Sequence, residues 1–225
     1  MPILPAEAPI PSREDVLGQA IPFDPDRWLP LLPAANWWPE ELDACERIGR
    51  WPRVDRRTVF EIARRSDIAE GRRHLLVAAL VWGTGTKAQS VTRRARIFAE
   101  SPERDIEACL ATVLDVLRDE GAVAAYSAFR NGQRIQFLGP AFFTKVLYFA
   151  GYESPAGVHR PLILDSVVSR ALRSTSADGI TWPGHGWTTE KYAQYLSVVH
   201  EHAEAADTLP DQVEAALFSF GKLLP

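Results

Sequence analysis

Residues 137–150 read Phe137-Leu-Gly139-Pro140-Ala-Phe142-Phe143-Thr144-Lys145-Val-Leu-Tyr-Phe149-Ala150. After a loop through Pro155, Gly157 and Pro161 the chain resumes Leu162-Ile-Leu-Asp165-Ser-Val-Val-Ser-Arg-Ala-Leu172. Gly139-Pro140 makes a turn, and proline suits the first position of a helix. The run that follows is apolar on nearly every side, which a helix sustains only when other elements enclose it. Lys145 interrupts that run. Its amine either snorkels outward along its own stem or is partly desolvated, and desolvation favours the neutral, nucleophilic form of an amine. Asp165 opens the next helical run. Aspartate is a preferred helix N-cap, and a capping carboxylate keeps a second oxygen that can face a cleft.

Outward from this segment the pattern stays helical. Over 105–118, Ile106, Cys109, Leu110, Val113, Leu114 and Leu117 fall at helical spacing, with Gly121 as a stop. Further helices are expected over 58–69, 72–82, 87–100, 121–129, 140–150, 166–173, 188–205 and 210–223. No segment alternates convincingly as a strand. Asn131-Gly132 resembles a hairpin turn, but its flanks do not alternate. The fold class is all-α. Residues 1–55 differ: six prolines between Pro22 and Pro52 forbid a long helix, while Trp28, Trp37, Trp38 and Trp51 argue against a disordered tail. They are expected to form an irregular wrap with short helices on a main body spanning 56–225.

The 225 residues, 46% of them hydrophobic, suffice for a real core. The net charge of −4 is unevenly distributed. Residues 1–46 carry 2 basic and 9 acidic side chains, net −7, and 174–225 carry 2 and 7, net −5. The middle carries 21 and 13, net +8. A positive centre between acidic ends suits a polyanion site, although arginines on solvated helix faces would give the same count. No apolar run reaches the roughly 20 residues of a membrane span, and the N-terminus lacks a signal-peptide pattern. The expected location is cytoplasmic, with nucleoid association if the polyanion is DNA. Two isolated cysteines, Cys45 and Cys109, cannot supply a four-cysteine cluster. His200 and His202 would point apart on a helix. No metal and no cofactor is expected.

Lys145 in a helix after a turn, 20 residues before an aspartate that opens the next helix, resembles the helix-hairpin-helix DNA glycosylases. The closer likeness is to their 8-oxoguanine branch, including the archaeal 8-oxoguanine enzymes. Thr144-Lys145-Val146 and Leu164-Asp165-Ser166-Val167 stand where that family has its nucleophilic lysine and essential carboxylate. The usual hairpin has two glycines flanking an aliphatic residue. Here Ala141, Phe142 and Phe143 occupy those places, with Gly139 nearby, which pushes the likeness toward the divergent archaeal type.

The resemblance implies a two-lobed helical fold with the helix-hairpin-helix at about 134–150. It also implies excision of an oxidised purine, 8-oxoguanine first, through a Lys145 Schiff base with strand-nicking lyase activity. The partner would be double-stranded DNA with the damaged base flipped out, and the protein a monomer. Phe149, one turn beyond Lys145, would form a wall of the base pocket. Trp82, at the end of the apolar run 75–82, suits an aromatic facing a cleft. Glu214 and Phe218, at i, i+4, share a helix face and would hold the base edge and base plane.

For the DNA backbone the candidates are Lys87, Arg93, Arg94 and Arg96, then Arg130 and Arg134, with close approach at Gly139. Gly83-Thr84-Gly85-Thr86-Lys87 resembles a fragment of a phosphate loop but lacks the full spacing and a preceding strand. Three other readings stand beside the glycosylase. They are an inactive nucleic-acid-binding module of the same fold sensing modified bases, a Schiff-base enzyme acting on a small carbonyl compound, and a purely structural helical protein.

Overall fold

The computed structural model describes residues 3–5, 7–132, 134–175 and 181–225. The N-terminal segment begins with α1 (Arg13–Leu17), where Ser12 and Asp15 form a reciprocal capping box. It continues through β1 (Ile21–Pro22), α2 (Pro25–Trp28), three single-turn 3-10 helices, β2 (Arg47–Ile48) and β3 (Trp51–Val54). The three strands pair antiparallel in the order β1-β3-β2, with Ile21 opposite Val54 and Arg47 opposite Pro52. This small sheet corrects the expectation of no strands. Strands of two to four residues are too short to show alternation, and prolines lie within two of them.

The tryptophans fasten this segment to the helices. Trp28 and Trp37 are fully buried. The Trp37 indole N–H donates to Glu103 at 3.0 Å and its ring meets Phe98 edge-on. The Trp82 indole N–H in turn reaches the Gln19 carbonyl at 3.1 Å.

The remainder is helical: α3 (Arg56–Ala63), α4 (Ala69–Thr84), α5 (Ala88–Glu100), α6 (Glu103–Glu120), α7 (Ala122–Asn131), α8 (Pro140–Gly151), α9 (Ser166–Thr175), α10 (Thr189–Ala205) and α11 (Pro210–Leu223). All six stripe residues of α6 are buried. α4 is buried continuously from Leu75 to Trp82 and α8 from Phe142 to Phe149, so these two helices form the centre of the core. α3 stops at Ala63, short of the expected 69. The chain doubles back tightly there: a Cβ on Gly71 would lie 1.7 Å from the Arg65 carbonyl oxygen, and Arg72 donates to the Asp67 carbonyl at 2.8 Å. Asn131 ends α7 and Gly132 follows as its C-cap.

Three features fix the helices that carry the site. Buried Asp211, in the first turn of α11, accepts from the hydroxyls of Tyr148 on α8 and Tyr152 just past its end, at 2.9 and 2.7 Å, and from Arg13. Gly221 lets α11 lie against the start of α9, since a Cβ there would meet the Val167 carbonyl oxygen at 2.2 Å. The extended segment before Asp165 is pinned by α10. The Tyr192 hydroxyl donates to the Leu162 carbonyl at 3.0 Å, and the Tyr195 hydroxyl to the Ile163 carbonyl at 2.7 Å.

Candidate active site

Lys145 emerges from α8 with only 5% of its surface exposed. Its amine lies 2.8 Å from the Ala141 carbonyl oxygen one turn back and 3.3 Å from Asp165 Oδ2. The two oxygens of Asp165 do different work. Oδ1 accepts from the Val167 and Val168 amides at 3.0 and 3.1 Å and caps α9, leaving Oδ2 for the amine. Thr144 joins the two elements: its buried hydroxyl donates to the Pro140 carbonyl at 2.8 Å and accepts from the Leu164 amide at 3.2 Å. The residue before the lysine therefore sets the height of the residue before the aspartate.

Lys145 and Asp165 share a cavity of about 310 Å³ with Gln19, Ile21, Arg56, Trp82, Gly83, Thr84, Gly85, Ile163, Val167, Glu214 and Phe218. Three of the four expected base-binding residues, Trp82, Glu214 and Phe218, thus come to one place with the expected catalytic pair. Phe149 does not line it. It lies behind Trp82, edge-on at 5.5 Å, and also packs on Phe60, so it backs the wall without forming it. Residue 149 follows 145 one turn along the helix, but it lines a separate cavity with Phe60, Leu114 and Leu117.

The expected backbone contacts divide. Gly139, Arg93, Arg94 and Arg134 line a neighbouring groove of about 260 Å³ with Ile135, Phe137 and Leu138. Arg94 lies 4.1 Å from the centre of the Phe142 ring, and Lys145 Nζ lies 5.2 Å from the same centre, so this groove adjoins the Lys145 cavity across one side chain. Burial, with Arg93 beside it, pulls the Arg94 pKa down. Arg96 stacks on Phe137 at 3.9 Å and pairs with Glu100. Lys87 is exposed at the start of α5. Arg130 is not brought to this face, because its guanidinium donates to the Trp187 carbonyl at 2.9 Å and holds the approach to α10.

Sequence reasoning missed Arg56 and Gln19, and singled out Gly83 only within a fragment resembling a phosphate loop. Arg56 and Glu214, each 1% exposed, pair at 2.8 Å in the cavity wall. Arg56 Nε donates to Gln19 Oε1 at 2.9 Å, and its guanidinium lies 5.0 and 5.1 Å from the Trp82 and Tyr148 ring centres. Burial pushes the Glu214 pKa up while Arg56 pulls against it. Burial works hardest against the Arg56 charge, but the Glu214 carboxylate and the Tyr148 hydroxyl together outweigh it and raise that pKa. A signal for Arg56 existed: a cation in the first turn of a helix opposes the helix dipole, so something else must hold it there. Gly83 makes room for the Lys145 side chain, since a Cβ there would sit 2.9 Å from Lys145 Cδ and 2.8 Å from Phe142 Cε1. Among the described residues no three or more His, Cys, Asp or Glu side chains gather as metal ligands would.

An amine, a carboxylate and aromatic walls around a base-sized space are the parts from which base excision by an amine nucleophile can be built. The family model described as "Putative 8-oxoguanine DNA glycosylase OGG-like protein" matches residues 14–218. The chain belongs to this OGG-like family. The match takes in α1 and Gln19 at one end and Glu214 and Phe218 at the other, so every residue lining the cavity falls within it. No curated protein and no solved structure matches the chain. The all-α architecture agrees with an OGG-like glycosylase, and no helix among the described residues is long and apolar enough to cross a membrane.

Proposed function

We propose that the protein is a base-excision DNA glycosylase that removes an oxidised purine, 8-oxoguanine first, and then nicks the strand. The observation that carries this is the placement of the Lys145 amine 3.3 Å from Asp165 Oδ2 on the wall of an aromatic-lined cavity. A volume of about 310 Å³ lies at the small end of ligand pockets, roughly 300–1,000 Å³, and suits one base. A stacked base is out of reach of any such group, so the nucleotide is flipped into the cavity against Trp82 and Phe218. The neutral Lys145 amine attacks the sugar C1′, and the electron pair of the N-glycosidic bond leaves with the base. Asp165 stabilises the positive charge that develops on the sugar and accepts the proton that the attacking nitrogen gives up. Opening of the sugar ring yields the Schiff base, and loss of a C2′ proton then expels the 3′ phosphate. Arg93, Arg94, Arg134 and Gly139 would hold the duplex backbone beside the cavity, with Lys87 and Arg96 at its margin.

The test is release of free base from duplexes containing one 8-oxoguanine, one uracil or one abasic site. The proposal expects excision of 8-oxoguanine, none of uracil, and nicking at the abasic site. A folded protein that binds these duplexes and alters none of them overturns it in favour of a non-catalytic binding module.

A further inference from the structure

Outside the Lys145–Asp165 pair, the most constrained polar group in the cavity wall is Arg56, and neither the amine chemistry nor the backbone contacts use it. Burying an ion pair is costly, and its contribution to stability is often no better than that of apolar side chains filling the same space. Its fixed geometry therefore points to another use. Nη1 holds Glu214 Oε2 and Nε holds Gln19 Oε1, while the guanidinium is wedged between the Trp82 and Tyr148 rings. Arginine can only donate, so both groups it touches must present an oxygen to it. This settles the orientation of the Gln19 amide: its NH₂ is turned away from Arg56 and has no hydrogen-bond partner among the described residues. Glu214 Oε1 likewise takes no hydrogen bond from the described residues. Both side chains line the cavity.

We infer that Arg56 is a positioning residue for substrate choice: it holds Glu214 as an acceptor and Gln19 as a donor, so that the cavity selects a purine whose five-membered ring bears N–H beside C=O. This rests on the glycosylase reading and deepens it. An oxidised purine presents N7–H next to C8=O and satisfies both groups. On that same edge unmodified guanine or adenine presents a bare N7 lone pair, which can accept from Gln19 but meets the Glu214 carboxylate with repulsion and leaves that acceptor unpaired. A site that hydrogen-bonds a particular N–H rejects the analogue lacking it far more strongly than an apolar pocket rejects a change of shape. Burial drives Glu214 toward its protonated form and Arg56 opposes this. Loss of Arg56 would therefore also tend to turn the acceptor into a donor.

The experiment compares wild type, Arg56→Lys and Arg56→Met in two single-turnover reactions, excision of 8-oxoguanine and borohydride trapping on an abasic duplex. The second needs Lys145 but no base. Lysine keeps a positive charge but cannot hold Glu214 and Gln19 in Arg56's fork geometry, so it serves where the methionine variant fails to fold. The expected result is that the ratio of excision to trapping falls about tenfold or more in Arg56→Lys. An unchanged ratio, whether both reactions persist or decline together, makes Arg56 merely structural and overturns the inference. Wild type that traps the abasic site but releases no 8-oxoguanine also overturns it, while leaving Lys145 as nucleophile. Wild type inactive on both duplexes overturns the glycosylase reading itself, and this inference with it.

Discussion

At the scale of single residues, Asp165 shows how one side chain serves fold and chemistry together. Oδ1 is spent on two amides of α9 and Oδ2 faces the amine. The two roles separate by substitution. Asn is as good an N-cap as Asp, so Asp165→Asn should keep stability within about 0.5 kcal/mol, while Asp165→Ala should lose about 1 kcal/mol of cap energy. Both should lose roughly 100-fold or more in base excision, because the charge that meets the developing sugar cation is gone. Urea unfolding and single-turnover excision on the same samples check this; excision retained by Asp165→Asn would reduce the residue to a cap. Lys145 and Asp165 were legible in the sequence because each belongs to a local pattern, a lone amine in an apolar helix and a carboxylate at a helix start. Arg56 offered only a cation misplaced at a helix start, because its partner Glu214 lies 158 positions away and no local period connects them.

At the scale of elements, the site depends on how closely α4 and α8 approach. Gly83 sits where the Lys145 stem crosses α4, and any Cβ there forces the lysine and Phe142 to move. Gly83→Ala should therefore lower the rate of base excision about tenfold or more with little loss in melting temperature, since the atoms it meets are side-chain ends that can shift. A misplacement of the reacting atom by even about 1 Å is costly in rate. An unaltered excision rate would show that the lysine reaches its substrate from another rotamer. The long helices were readable from their apolar spacing, to within a residue or three in most cases. The end of α3 was not, because the tight reversal onto Gly71 is a tertiary contact. The three-stranded sheet was not either, because its strands are too short to carry a period and β1 pairs with β3 across some 30 residues, although β2 and β3 form a tight local hairpin.

At the scale of the whole molecule, folding redistributes the charge that the sequence divides into acidic ends and a basic middle. Acidic residues of the two ends fold back onto that middle: Glu14 pairs with Arg57, Glu41 with Arg65, and Glu214 with Arg56. These arginines are neutralised, and the sum over the middle overstates the charge offered to DNA. Among the described residues Arg93, Arg94 and Arg134 have no carboxylate partner and gather around the groove beside the cavity. Arg93→Ala and Arg94→Ala should each weaken binding uniformly across duplex sequences and lower the slope of log affinity against log salt by about 1. Arg57→Ala and Arg65→Ala should leave that slope unchanged. Fluorescence anisotropy titrations at several salt concentrations measure it, and equal effects from both sets would place the DNA on another face.

The central claim is that Lys145 is the nucleophile, and covalent capture addresses it most directly. The protein is incubated with a duplex carrying one 8-oxoguanine in the presence of borohydride, and the adduct is located by peptide mass spectrometry. The account predicts a single adduct on Lys145, absent from a folded Lys145→Gln variant that still binds the duplex. An adduct on another amine, or full excision by Lys145→Gln, would contradict it.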